Sequence, residues 1–240
     1  MDSLSTLQRW IRESDNIVFF GGAGVSTESG LKDFRSVDGL YHQKFDYPPE
    51  EILSHSFFFR NTGYFYDFYR EKMLAPHVQP NRAHKALAKL EQQGKLKAVV
   101  TQNIDGLHQM AGNKTVYELH GSVHRNTCMN CGAFYGVDRI LQTQGVPKCS
   151  CGGIIKPNVV LYEEGLDDDC VMGAVDAIAA AQVLIVGGTS LTVYPAAGLL
   201  RYYRGNKLVL INRDETPYDD RADLIFRQSI GEVLEQAIGG

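Results

Sequence analysis

The sequence lacks both a long apolar run and an excess of cationic residues. No stretch approaches the ~20 consecutive apolar residues that a helix needs to cross a bilayer. The opening residues, MDSLST, contain neither the basic nor the apolar region of a secretory signal, so we expect a cytoplasmic protein with no membrane partner. The formal net charge of −4 at pH 7 argues against a protein that binds nucleic-acid phosphates, and we expect no nucleic-acid partner.

Cysteine is scarce, with five residues in 240, and four of the five are clustered. In a reducing compartment such a cluster indicates a metal site rather than two disulfides. The first pair has a two-residue gap, the second a one-residue gap, and 17 residues separate the pairs. Four thiolates would leave no open coordination position, so we predict a structural Zn²⁺ site. Its predicted ligands are Cys128, Cys131, Cys149 and Cys151.

Hydrophobic residues make up 44% of the chain and occur in short apolar runs that alternate with amphipathic segments. This alternation predicts an α/β fold, a doubly wound parallel sheet of Rossmann type. The predicted helices include an N-terminal one capped by Ser3 or Ser5 and another capped by Asn81. The predicted strands cover 17–20, 97–101, 115–119, 183–186 and 207–211, of which the last is expected to be the final strand.

A glycine-rich turn, Gly21-Gly22-Ala23-Gly24, follows the first predicted strand. Small residues there let backbone N–H groups approach a pyrophosphate. A full dinucleotide fingerprint would have a third glycine where Thr27 stands, so the glycines alone are equally compatible with an ordinary strand-to-helix turn. The continuation over 25–36 is too interrupted for a crossover helix and suggests a loop that covers a bound ligand.

Polar residues also follow the other predicted strands. A lone Asn, Asp or His in such a loop is usually only a turn former or a hydrogen-bonded residue. Because the carboxyl ends of parallel strands meet at one edge of a sheet, several such clusters together predict a ligand site, with His120 suited to general-base chemistry. The clusters are Gln102-Asn103-Ile104-Asp105, His120, Gly188-Thr189-Ser190 and Asn212.

Taken together, these motifs resemble the sirtuins, NAD-dependent protein deacylases, in their bacterial form. The matching segments are GAGVS with DFR, TQNIDGLH, LHG, KPNVVLYEE and GTSL, and they occur in the family's order over nearly the whole chain. The sequence departs from the family pattern at Leu31 and Lys32, which replace Ile-Pro. It also departs at Asn158, which replaces Asp, and at Glu163, which replaces Gly.

The resemblance implies an enzyme that uses NAD as cosubstrate and acts on acylated protein or peptide substrates, releasing nicotinamide, free lysine and O-acyl-ADP-ribose. His120 is implied as the general base for a ribose hydroxyl. Asn103 and Asp105, with Ser26, are implied to hold the nicotinamide ribose, and the carbonyl of Val160 to accept the substrate amide N–H. The implied NAD contacts are Gly22, Ala23, Gly24, Ser26, Thr27, Asp33, Phe34, Arg35, Gln102, Asn103, Ile104, Asp105, Gly188, Thr189, Ser190, Asn212 and Ile230, and the implied substrate contacts are Val160, Leu161 and Tyr162.

The same resemblance implies two lobes in a protein that we expect to be a monomer. The NAD-binding domain would comprise 1–40, 78–121 and 158–240. An aromatic-rich segment at 41–77, expected to hold one or two short helices, and a zinc module at 122–157 would form the small lobe.

The aromatic segment also bears on the acyl group. Sirtuins that remove acidic acyl groups carry Tyr-x-x-Arg in this segment. Here Tyr66 is followed at that spacing by Tyr69, and Arg70 is preceded by Asp67, so a neutral acyl group such as acetyl is expected.

Other functions remain open from the residues alone. A hydride-transferring dehydrogenase would have an acidic residue at the end of its second strand, about 20 residues after the glycines, but the aromatic segment lies there instead. A protein ADP-ribosyltransferase could use the same NAD site. A binding module with a degenerate site is the third alternative, and His120, Asn103 and Asp105 argue against it.

Overall fold

Six parallel strands form the main sheet in the computed structural model, which describes residues 2–33 and 45–239. The strands are β1 (Ile17–Gly21), β2 (Leu96–Thr101), β3 (Val116–Glu118), β7 (Val183–Gly187), β8 (Leu208–Ile211) and β9 (Leu224–Phe226). Their order across the sheet is β3-β2-β1-β7-β8-β9, so the chain changes direction of winding between β1 and β7. This is the strand order of a doubly wound nucleotide-binding fold, and the prediction of a Rossmann-type sheet is confirmed.

Helices cover both faces of this sheet because successive side chains of each buried strand point to opposite sides. In β1, Ile17 and Phe19 join the cluster beneath α1 (Ser3–Glu13), α5 (Arg82–Gln92) and α9 (Ile230–Ile238). Val18 and Phe20 join the cluster on the other face, beneath α8 (Asp168–Ala180) and the 3₁₀ helix Ala196–Tyr202. The remaining short helices of the main domain are α6 (Leu107–Ala111) and the 3₁₀ turns Ala23–Val25, Thr27–Ser29 and Asp219–Arg221.

A smaller antiparallel sheet carries the second lobe. Its strands β4 (Gly121–Cys128), β5 (Phe134–Tyr135) and β6 (Ile155–Val159) lie in the order β5-β4-β6. A third core cluster joins this sheet to the aromatic helices, with Phe58, Phe65 and Tyr66 fully buried. The helical elements of this lobe are α2 (Pro49–Ile52), α3 (His55–Arg60), α4 (Thr62–Phe68), a π-helical turn at Tyr69–Met73, and α7 (Val137–Leu141).

Three local predictions need correction. The strand over 207–211 is not the last, because β9 (Leu224–Phe226) pairs with β8 further along the chain. The segment 50–73 forms four short helical pieces rather than one or two, since Ser54 and Asn61 each start a new helix by accepting a backbone N–H. Helix α1 is capped by Asp2, which accepts from Leu4 N at 3.4 Å, and not by Ser3 or Ser5.

Among the described helices, none combines the length and apolar character needed to cross a bilayer.

Candidate active site and metal centre

The glycine turn after β1 lies against the turn after β7, at the point where the winding of the sheet reverses. Gly24 N donates to Gly188 O at 2.8 Å, and Gly22 N to Gly187 O at 3.3 Å. A Cβ added at Gly24 would lie 2.8 Å from the Gly188 Cα, so a side chain there would push the two turns apart. This close approach explains the glycines and brings the two turns together at the crevice where such sheets bind nucleotides.

Three of the predicted ribose-binding side chains lie in one hydrogen-bonded chain. Ser26 Oγ donates to Asp105 Oδ2 at 2.7 Å and accepts from Asn103 Nδ2 at 3.1 Å. Asp105 Oδ1 also accepts from Leu107 N at 2.9 Å, which fixes the carboxylate at the start of α6. The turn after β1 and the turn after β2 are therefore connected by side chains that can bind hydroxyl groups.

His120 stands between the two sheets, two positions after the last residue of β3 and directly before β4. Its Nδ1 lies 3.0 Å from the carbonyl oxygen of Gln102. A carbonyl accepts only, so Nδ1 carries the proton and Nε2 keeps its lone pair. Burial lowers the pKa of His120, and the hydrogen bond to Gln102 opposes this to a smaller extent. The imidazole is thus a neutral base with a fixed tautomer.

A second polar group lines the other half of the crevice. Thr189 Oγ1 donates to Gln102 Oε1 at 3.0 Å, and Thr189 N donates to Asn212 Oδ1 at 3.1 Å. The buried Nε2 of Gln102 has no hydrogen-bond partner in the described part of the chain. Leaving a buried amide N–H group without a hydrogen bond costs free energy. A ligand with an acceptor atom at this position would therefore be stabilised by Gln102. Ser190 Oγ lies nearby in sequence and contacts Thr192 Oγ1 at 2.8 Å.

The remaining predicted NAD residues differ in where they lie. Ile230 is buried beneath β7, where a Cβ on Gly187 would meet its Cδ1. Ile104 packs on the core of the small lobe, and Thr27 Oγ1 donates to Gly24 O within the glycine turn. Asp33 is half-buried at the end of the first described segment, and Ala23 begins the 3₁₀ turn after β1. The predicted residues Phe34 and Arg35 lie outside the described residues.

The predicted substrate segment, Val160 to Tyr162, runs from β6 past His120. Val160 N donates to His120 O at 2.9 Å, and Tyr162 N donates to Leu53 O at 2.9 Å. Within residues 2–33 and 45–239, no hydrogen bond uses the Val160 carbonyl oxygen. Leu161 is buried and Tyr162 is 42% exposed, so the segment has an inner and an outer face. It can accept an added backbone donor beside the imidazole.

The four clustered cysteines come together as the spacing predicted. Their Sγ atoms all lie within 4.8 Å of one another, with Cys128 to Cys151 at 3.5 Å and Cys131 to Cys149 at 3.6 Å. Zn–S bonds of about 2.3 Å in a tetrahedron place sulfur atoms roughly 3.8 Å apart, so the donor set fits Zn²⁺. Tyr135 Oη donates to Cys149 Sγ at 3.0 Å, a contact that holds a ligand in place.

Two residues at the site were missed by the sequence analysis. His124, which the sequence analysis did not single out, places Nε2 3.0 Å from the Asp105 carbonyl oxygen. Glu28 accepts from Gly231 N at 3.0 Å and from Ser229 Oγ, which joins the glycine-turn region to the start of α9. Both contacts join segments far apart in sequence. The only sign of these contacts in the sequence is that Glu28, a charged residue, lies so close to the glycine turn.

The comparisons with known proteins agree with this geometry. Residues 22–195 match the model of the Sir2 family. The chain belongs to the Sir2 family. It is 60% identical to the NAD-dependent protein deacetylase of Clostridium acetobutylicum, over 99% of each chain. It is 53% identical to that of Cutibacterium acnes, over 95% of this chain and 94% of that protein.

Solved Sir2 structures have the same fold. A Sir2 protein bound to acetylated peptide has a TM-score of 0.85 at 36% identity and covers 99% of this chain and 98% of its own. A complex of Sir2 with a p53 peptide and NAD⁺ has a TM-score of 0.85 at 38% identity, with the same two coverages. The resemblance to the sirtuins in the sequence is therefore confirmed as family membership.

Proposed function

We propose that this protein is an NAD-dependent protein-lysine deacylase whose preferred acyl group is neutral, with acetyl as the first candidate. The observation that carries the proposal is the convergence of His120, Asn103, Asp105 and Ser26 at the winding reversal of a nucleotide-binding sheet. The relatives named NAD-dependent protein deacetylase support the reaction, and the Sir2 complexes support NAD and acylated peptide as its substrates.

In the proposed reaction NAD supplies the electrophilic ribose carbon and nicotinamide as leaving group. Asn103, Asp105 and Ser26 bind the nicotinamide ribose, and the glycine turns around Gly24 and Gly188 approach the pyrophosphate. Gln102, with its spare amide donor, and Asn212 serve the other half of the cosubstrate. This role for Gln102 is supported by its buried Nε2, which has no hydrogen-bond partner among the described residues.

His120 takes a proton at Nε2 from a ribose hydroxyl, because its Nδ1–H is committed to the Gln102 carbonyl. The Val160 carbonyl, which accepts no hydrogen bond from the described residues, accepts the amide N–H of the acylated lysine, and the peptide backbone lies along the segment up to Tyr162. The hydrogen bond from Val160 N to His120 O joins this segment to the backbone of His120, so the base and the bound substrate keep a fixed position relative to each other.

The preference for a neutral acyl group is supported by the position of Arg70. Its Nε donates to Ile140 O at 2.9 Å, a second guanidinium nitrogen donates to Gly145 O, and its Cζ lies 5.3 Å from the Tyr66 ring centre. The guanidinium thus connects the aromatic helices to the zinc module. It is not free to pair with an acyl carboxylate.

The cysteine cluster is proposed to hold one structural Zn²⁺ that stabilises the module around β4 and β5. The protein is further proposed to work as a cytoplasmic monomer without a nucleic-acid partner. The net charge of −4 supports the last point.

The test is release of nicotinamide and of free lysine from an acetyl-lysine peptide in the presence of NAD. We expect both products in equal amounts from the wild type, loss of both in His120→Ala, and full activity in His77→Ala, which removes an exposed histidine. Nicotinamide release without lysine release would identify NAD cleavage or ADP-ribosyl transfer and would refute the deacylase. A panel of acetyl, propionyl and succinyl peptides measures the acyl preference, for which succinyl is expected to be poorest.

A further inference from the structure

Glu163 adopts a backbone conformation that residues other than glycine rarely adopt. Its φ is +74°, and only one other described non-glycine residue, Leu191, has positive φ. Residues with a Cβ rarely adopt this left-handed region, whereas glycine enters it freely. The sirtuin pattern has glycine at this place, a residue that adopts this conformation without strain, whereas this chain has glutamate there.

Ser56 stabilises the strained residue from another part of the chain. Its backbone N–H donates to Glu163 Oε2 at 2.9 Å, and its Oγ donates to Glu163 Oε1 at 2.9 Å. These bonds lower the pKa of Glu163, the backbone one most. Hydrogen bonds to an ionised carboxylate are stronger than those between neutral groups, so this pair can offset an unfavourable φ.

The contact between Ser56 and Glu163 is one of several hydrogen bonds that join α3 to the substrate segment. His55 N donates to Tyr162 O at 2.9 Å, next to the bond from Tyr162 N to Leu53 O. Glu164 accepts from Leu161 N at 2.9 Å and lies 2.9 Å from His55 Nδ1. The start of α3 and the end of the substrate segment therefore form one hydrogen-bonded unit, and Glu163 is the strained residue within it.

We propose that Glu163 and Ser56 are positioning residues that hold the segment from Val160 to Tyr162 in the geometry that binds the acylated peptide. The inference rests on the proposed function, because it takes this segment as the peptide site. The pair lies on the peptide side of the fold and has no contact with the Ser26–Asp105 group. It therefore affects the peptide and leaves NAD binding unchanged.

The decisive comparison is Glu163→Ala against Glu163→Gly. Both remove the carboxylate, but only alanine keeps the unfavourable φ. If the strained conformation is populated less, the apparent affinity falls by the same factor. We expect Glu163→Ala to raise the peptide KM about tenfold and Glu163→Gly to stay within about twofold of wild type. The KM for NAD and kcat are expected to be unchanged in both.

Ser56→Ala keeps the backbone donor and loses the hydroxyl, so its peptide KM is expected to lie between these values. Adding Glu163→Gly is expected to return it to the wild-type value, because glycine no longer needs Ser56. Ser5→Ala, on the exposed face of α1, is the matched serine control.

Two results would overturn the inference. Equal peptide KM values for the alanine and glycine variants would show that backbone strain at this position does not control binding. A parallel rise in the KM for NAD would show general damage.

Binding of a fluorescent acetyl-lysine peptide, measured without turnover, separates this inference from the proposed reaction. A wild type that binds the peptide without deacylating it refutes the reaction alone, and the variants are then ranked by Kd. A wild type that does not bind the peptide refutes both.

Discussion

A buried histidine pair, His84 and His108, predicts that this fold loses stability at mildly acidic pH. The two side chains are 0% and 1% exposed, and their ring centres lie 4.7 Å apart. Burial, with a smaller contribution from His84, lowers the pKa of His108 to about 3. Burial also lowers the pKa of His84 to about 4, although the charges of Asp105 and Glu28 oppose this.

The sign of the effect follows from these directions. In the unfolded chain a histidine takes up a proton near pH 6.5, while in the folded chain both rings stay neutral to much lower pH. The unfolded state therefore binds more protons below pH 6.5, and stability falls as the pH is lowered towards the folded pKa. Between pH 7 and pH 5 one such histidine lowers the free energy of unfolding by about 2 kcal/mol.

The assay is urea unfolding at pH 7 and at pH 5 for wild type, His108→Phe and His77→Asn. Phenylalanine keeps a ring beside Phe19, whose centre is 6.1 Å from that of His108, and cannot take up a proton. We expect its unfolding free energy to fall by about 2 kcal/mol less than that of wild type between the two pH values. Replacement of the exposed His77 by Asn is expected to leave the wild-type difference in unfolding free energy between pH 7 and pH 5 unchanged. Equal pH-dependent losses in wild type and His108→Phe would refute the reasoning, whatever the stability of the variant at pH 7.

Three further predictions concern the active site and the metal centre. Because burial lowers the pKa of His120, the acidic decline in kcat/KM for an acetyl-lysine peptide should have its midpoint below pH 6.5, the ordinary value for histidine; a midpoint at or above pH 6.5 would contradict this. Ser26→Ala leaves the carboxylate of Asp105 without its hydroxyl donor, so kcat/KM for NAD should fall about tenfold or more, measured by nicotinamide release. Tyr135→Phe removes the donor to Cys149 Sγ, so a chelator should extract zinc faster than from wild type, as followed with a metal indicator; an unchanged rate would show that the contact does not hold the ligand.

Features that depend on neighbouring residues in sequence were predicted well. The apolar runs gave five of the six strands of the main sheet, and Asn81 caps α5 as expected. The convergence of the strand-end motifs also followed from sequence, because parallel pairing in register brings Gly21, Thr101 and Gly187 level with one another. A pattern of parallel strands thus carries information about which polar residues meet.

Several features that depend on distant partners were not predicted. Strand β9 has only three residues and exists through its pairing with β8, which sequence periodicity does not reveal. Strand β4 begins directly after His120 and pairs antiparallel with β6, so the imidazole lies at a junction of two sheets. The contact of His124 with the Asp105 carbonyl depends on that junction. Composition and spacing contain no signal for such register.

Glu163 illustrates how a departure from a family motif acquires its meaning. From sequence alone it could be recognised only as a residue that resists the backbone angles of the glycine it replaces. The structure has those angles nonetheless, with a compensating partner, Ser56, 107 positions earlier in the chain. Glu163 and its partner Ser56 belong to different segments of the chain. A variant with glycine at position 163 therefore has two effects: it removes the backbone strain, and it makes Ser56 dispensable. Whether the substrate segment tolerates the loss of Ser56 therefore depends on which residue occupies position 163, and the two positions must be tested together.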